Sequence, residues 1–169
     1  MNSQQIKSAV RQFASADGTA REKARQSLVE ARSLEVIQAV MAELVDPRRQ
    51  VRWEAAKALS QIGEPVAALS LVHAMDDEDH DVAWVAAEGV AGMGEIGLEA
   101  VLSGLTRSSR SGSFYKVAHH ALKQIHARGR HREITASVLE SIEGLQPRLS
   151  APLAAYDALQ QLRDSGVPS

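Results

Sequence analysis

Val51-Arg52-Trp53-Glu54-Ala55-Ala56-Lys57-Ala58-Leu59-Ser60-Gln61-Ile62-Gly63 returns 31 residues later as Val82-Ala83-Trp84-Val85-Ala86-Ala87-Glu88-Gly89-Val90-Ala91-Gly92-Met93-Gly94. A period of a few tens of residues marks a stacked-repeat architecture, because one such unit cannot bury its apolar side without neighbours. The same frame fits the segments that begin at Ala20, Phe114 and Ala151, so five copies are present. Four positions at i, i+4, i+8 and i+11 share one face of a helix and test the alignment. The first holds Ala20, Val51, Val82, Phe114 and Ala151, and the second is alanine each time, at Ala24, Ala55, Ala86, Ala118 and Ala155. The third holds Leu28, Leu59, Val90, Leu122 and Leu159, and the fourth Ala31, Ile62, Met93, Ile125 and Leu162. Every one is apolar in a chain that is only 44% hydrophobic, so position and not composition sets the pattern.

Each copy runs into a break, as at Ile62-Gly63-Glu64-Pro65, and then into a second apolar series. Glycine past a helix end and proline in the next first turn match the asymmetry of helix termini. The second series are Val36, Ile37, Val40, Met41, Leu44; then Leu71, Val72, Met75; then Leu98, Val101, Leu102, Leu105; then Ile134, Val138, Leu139, Ile142. The expectation is an all-α, single-domain stack of about ten helices: four helix pairs, near 19–45, 48–75, 80–106 and 113–144, with a capping helix at each end. Ile6, Val10 and Phe13 mark the N-terminal cap, 3–15, and the single-helix fifth copy the C-terminal one, 151–164. Caps of a solenoid should have polar outer faces. The Ser/Gly/Pro-rich stretches Ser108–Ser113 and Gln146–Pro152 fall between units.

No cysteine occurs among the 169 residues, which excludes disulfides, thiolate nucleophiles and cysteine metal sites. Every apolar run is broken by charge before it reaches membrane-spanning length, and the start, MNSQQIKSAVRQF, has no long apolar segment. These features predict a soluble, cytoplasmic protein with no membrane partner.

Asp46-Pro47 followed by Val51-Arg52-Trp53, Ala55-Ala56, Ala58-Leu59 and Ile62-Gly63-Glu64-Pro65 resembles the short HEAT-like repeat of phycobilin lyase subunits and many bacterial proteins. The third copy replaces the arginine by Ala83 and the fourth the glycine by His126. The resemblance, over residues 18–164, implies a right-handed α-solenoid with the second helices lining a concave face, and it implies binding more than chemistry. It also implies two rival functions: a lyase-like or chaperone-like accessory factor acting on a chromophore-bearing or other substrate protein, and nucleic-acid binding of the helical-repeat glycosylase kind. The iron site of deoxyhypusine hydroxylase, a related architecture, needs His-Glu pairs, and no His-Glu dipeptide is present.

Gly92-Met93-Gly94-Glu95-Ile96-Gly97 spells GxGxxG, but a helix precedes it where the dinucleotide fingerprint needs a strand, so it reads as an inter-helix turn. Asp77, Asp79, Asp81 and Glu88 occupy calcium-loop spacings, yet Val82 stands where the loop needs glycine. Carboxylates ahead of a helix N-terminus are favoured by capping and the macrodipole instead. His119 and His126 are seven residues apart, about 10.5 Å of helical rise, which is too far for easy chelation of one ion. His119 and His120 therefore stand as a candidate polar site without a metal. Trp53 and Trp84 share a repeat position and are candidate anchors, arranged as an aromatic ladder.

The charge distribution is strongly divided. From Ala58 to Thr106 there are nine acidic residues and no lysine or arginine; from Arg107 to Arg132 there are seven basic residues and no carboxylate. This predicts an acidic surface at Asp76, Asp77, Glu78, Asp79 and Asp81 beside a basic one at Arg107, Arg110, Tyr115, Lys116, Lys123, Arg128, Arg130 and Arg132. Either an acidic segment or phosphate could dock on the basic side, or two copies could pair acidic to basic. The low isoelectric point, near 6.3, disfavours nucleic acid. On the second helices Gln38, Ala42, Ser70, His73, Ser137 and Ser141 are expected to be exposed, a quiet floor with no nucleophile beside a base. The sequence thus points to a non-catalytic protein-interaction scaffold that needs no cofactor.

Overall fold

A computed structural model of the chain describes residues 1–107 and 110–165, so of the Ser108–Ser113 connection Ser108 and Ser109 lie outside the described residues. The described residues form ten α-helices and no strand. They are α1 (Ser3–Arg11), α2 (Gly18–Ala31), α3 (Leu34–Ala42), α4 (Arg49–Ile62), α5 (Ala68–Ala74), α6 (His80–Ala91), α7 (Gly94–Leu105), α8 (Gly112–Ala127), α9 (Arg132–Glu143) and α10 (Pro147–Ser165). First helices α2, α4, α6 and α8 pack each on the next, and α5 packs on both α6 and α7. No described helix is long and apolar enough to cross a membrane.

Local chemistry fixes the helix starts. Asn2 and Gln5 form a reciprocal capping box on α1, and the side chains of Asp17, Ser33, Asp79 and Ser111 accept amides in the first turns of α2, α3, α6 and α8. At the repeated turn, Gly63 (φ 69°) and Gly94 (φ 65°) adopt the left-handed conformation that a side chain disfavours. Gly97 is required for a different reason: a Cβ there would lie 2.0 Å from the Val90 carbonyl oxygen. The GxGxxG string is therefore a tight α6–α7 corner.

The frame positions converge on one core. All are buried except Ala20 and Ala31, which are half-buried, and Ile6, Val10 and Phe13 of the N-terminal segment join the same cluster. The N-terminal helix turns Ser3, Gln4, Lys7 and Arg11 to solvent.

The C-terminal helix departs from expectation in three ways. It begins at Pro147, so most of the Gln146–Pro152 stretch is helical rather than a connection, and Pro152 lies inside it. It packs across the second helices α7 and α9 and not alongside the first helix α8. Its buried face of Ala151, Ala155 and Ala158, with Leu159 and Leu162, is narrow enough to approach both at once. Its outer face is only partly polar, since Leu149, Leu153 and Tyr156 are exposed among Arg148, Asp157, Gln160, Gln161, Arg163 and Asp164.

Gly97→Ala should cost about 1–3 kcal/mol through overpacking. Urea melts should show a lower midpoint with an unchanged slope, and an unchanged midpoint would contradict the corner.

Candidate functional site

The acidic stretch is not a free surface. Its carboxylates are held by cations, several of them about one repeat earlier in the chain. Arg49 bridges Asp79 and Asp81, each at 2.6 Å; Arg52 holds Asp77 at 2.7 Å and touches Glu78 at 3.3 Å; Arg32 meets Glu64 at 3.0 Å. Arg52 is itself buried and also donates to the Asp46 and Pro47 carbonyls, tying α4 to the turns at both of its sides. Asp76 takes Arg110 at 3.5 Å and accepts from Ser111, while Glu88, Glu95 and Glu99 face His120, His131 and Arg163. Asp77 and Asp79 also accept backbone amides, Asp79 as the cap of α6. A buried carboxylate that the sequence reading missed, Glu54, is gripped by Arg21 and Arg25 of the preceding first helix. The signal for these contacts was the repeat period itself, since Arg49 and Asp79 differ by 30 residues and Arg21 and Glu54 by 33.

The basic stretch divides differently. Arg110 is buried, donates to the Gly104 carbonyl and lies over the Phe114 ring at 4.6 Å, so it is an internal tie and not a docking residue. Tyr115 is buried as well, with no partner for its hydroxyl among the described residues, and burial raises its pKa. Arg128 is exposed and donates to the Ala91 carbonyl, joining the α8 end to α6. Arg107, Lys116, Lys123, Arg130 and Arg132 are exposed, and among the described residues none has a carboxylate within ion-pair distance.

The tryptophans are covered by residues of their own and neighbouring first helices. Trp84 lies between His80 and His120, at ring separations of 5.7 and 3.8 Å, and Arg25 is 5.8 Å above Trp53. Both indoles are half-buried by these partners, which reduces what either could offer as an anchor. His120 is accordingly half-buried, as is His119, which donates to Glu143 of α9 at 2.6 Å.

The second-helix face is less quiet than its sequence suggested. Gln38, Ala42, His73 and Ser137 are exposed and Ser70 and Ser141 half-buried, Ser141 because Ser150 of α10 donates to its carbonyl. Beside them stand apolar residues outside the repeat frame: Val66, Leu69 and Ile96 are 55%, 62% and 49% exposed. They line a groove of about 400 Å³ whose walls are Pro65, Ala68, Glu99, Ala100, Ser103 and, from α10, Arg163. On the other side of α5 an open trough of about 590 Å³ runs over Met41, Leu44, Val45, Ser70 and His73 to Asp76, Asp77 and Glu78. Among the described residues no cluster of histidines and carboxylates has the geometry to hold a metal ion.

The ion pairs make stability depend on acid pH. The Arg48 hydrogen bond holds Asp46 at about 2, below its ordinary 3.8. Burial pushes Asp79 up, but its bonds from Arg49 and the Val82 amide outweigh this and lower it; the His119 hydrogen bond lowers Glu143. Because these folded-state values are depressed, their stabilisation is present above the ordinary carboxylate range and is lost as pH falls through it. Thermal melts should therefore fall between about pH 4 and pH 2, and Asp46→Asn should remove part of that fall while lowering the melting temperature at pH 7.

A family model of HEAT repeats matches residues 6–91, just over half of the chain. Among solved structures the chain is similar to a chain in the complex of CpcE and CpcF of phycocyanin lyase from Nostoc sp. PCC7120. That likeness has 22% identity and a TM-score of 0.54, and covers 94% of this chain but only 65% of that chain. An engineered protein is similar at 20% identity and TM-score 0.47, over 96% of this chain and 80% of that one. A designed armadillo repeat protein is similar at 19% identity and TM-score 0.37, over 93% and 99%. No protein of curated function matches. With the repeat period, the helix pairs and the matched residues together, the chain belongs to the HEAT-repeat family.

Proposed function

We propose that the protein is a non-catalytic protein-interaction scaffold that holds a partner on its second-helix face. The observation that carries this reading is the set of uncovered apolar side chains Val66, Leu69 and Ile96 around the groove between α5, α7 and α10. The helix frame does not need them for its core, and a partner segment that fills the groove would remove them from water. The flanking small residues, Ala68, Ala100 and Ser103, leave room for a helix to approach closely.

Affinity capture from the native host with wild type and with Leu69→Asp/Ile96→Asp tests the reading. A partner enriched by wild type should be lost with the variant while both melt at the same temperature. A captured set that does not change, or no enriched protein at all, would count against the groove.

A further inference from the structure

The two charge blocks look equivalent along the chain but differ in what their charges touch. Each of the nine carboxylates between Glu64 and Glu99 has an arginine or histidine side chain of this same molecule within 4.0 Å, arginine for seven of them and histidine for Glu88 and Glu95. Of the seven cations between Arg107 and Arg132, Arg110 alone has a carboxylate within that distance among the described residues. Arg32, Arg49 and Arg52 of earlier repeats, Arg110 and Arg163 from later in the chain, and His120 and His131 occupy the acidic groups from within the molecule. The basic field is left standing at Arg107, Lys116, Lys123, Arg130 and Arg132, all exposed.

We propose that this surface docks an acidic segment of another protein. Lys116 and Lys123 are seven residues apart on α8, about 10.5 Å of rise, which matches carboxylates two turns apart on a partner helix. Arg130 and Arg132 continue the positive charge into the α8–α9 connection. There His131 is anchored to Glu95 and Arg128 to the Ala91 carbonyl, so the loop that presents them is tied down at two points. Pairing between copies is disfavoured, because the carboxylates a second copy would offer already have partners within their own chain, which would have to be displaced. Nucleic acid is disfavoured because the aromatic residues of α8, Phe114 and Tyr115, are buried and offer no face on which bases could stack. This surface is separate from the α5–α7 groove, and either site can fail without the other.

Fluorescence anisotropy with a labelled, short, glutamate-rich peptide and with an oligothymidylate of equal charge tests the proposal, using the full chain at low and at physiological salt. The peptide should bind more tightly than the oligothymidylate and weaken as salt rises. Lys123→Glu/Arg130→Glu should weaken the peptide by about tenfold or more. Lys7→Glu/Lys23→Glu changes net charge equally at two exposed sites in the N-terminal segment and should leave binding unchanged. Absence of peptide binding, equal loss in both variants, or tighter binding of the oligothymidylate would overturn the proposal. Self-association of the wild type, seen by sedimentation and abolished by Lys123→Glu/Arg130→Glu, would overturn it too.

Discussion

Small side chains at the contacts between first helices set the spacing of the stack. The alanine at the second frame position is buried in every repeat, and between α4 and α6 the approach is closer still, where a Cβ on Gly89 would lie 2.9 Å from that of Ser60. That closeness aligns consecutive repeats, so a side chain meets residues about one period away. The core and the inter-repeat ion pairs both follow from it.

The arginine links show how a repeat protein can use charge without carrying much net charge. Arg49 and Arg52 of one unit reach the turn that opens the next, where Asp77 and Asp79 are also organising backbone amides. Removing one arginine would leave carboxylates crowded at that turn, so these pairs act on register as well as on stability. The same contacts decide where the molecule has charge to offer a partner. The carboxylates at the centre of the stack have partners within the chain, whereas the exposed cations Lys116, Lys123, Arg130 and Arg132 of the fourth repeat have no carboxylate within ion-pair distance among the described residues.

The sequence revealed those parts of the fold that a helical period encodes. One face in each copy is apolar at fixed spacing, so the core residues of ten helices could be named from the pattern. It did not reveal which neighbour the last helix chooses. An apolar face with Ala151, Ala155 and Leu159 fits either a first helix or a pair of second helices, and only the three-dimensional packing selects α7 and α9. Charge runs misled for a related reason. Counting along the chain cannot see that Asp79 faces an arginine 30 residues earlier, or that Arg110 folds inward over Phe114. The groove residues Val66, Leu69 and Ile96 were overlooked because they lie outside the repeat frame, and that same position leaves them uncovered.

A scaffold of this kind must have its second-helix face covered by the partner. Amide hydrogen exchange of the free protein, compared with the protein bound to a partner recovered by capture, tests this most directly. New protection should appear in α5 and in the first half of α7, where the groove residues lie. Protection confined to the first helices α2, α4 and α6, with exchange in α5 and α7 unchanged, would contradict it.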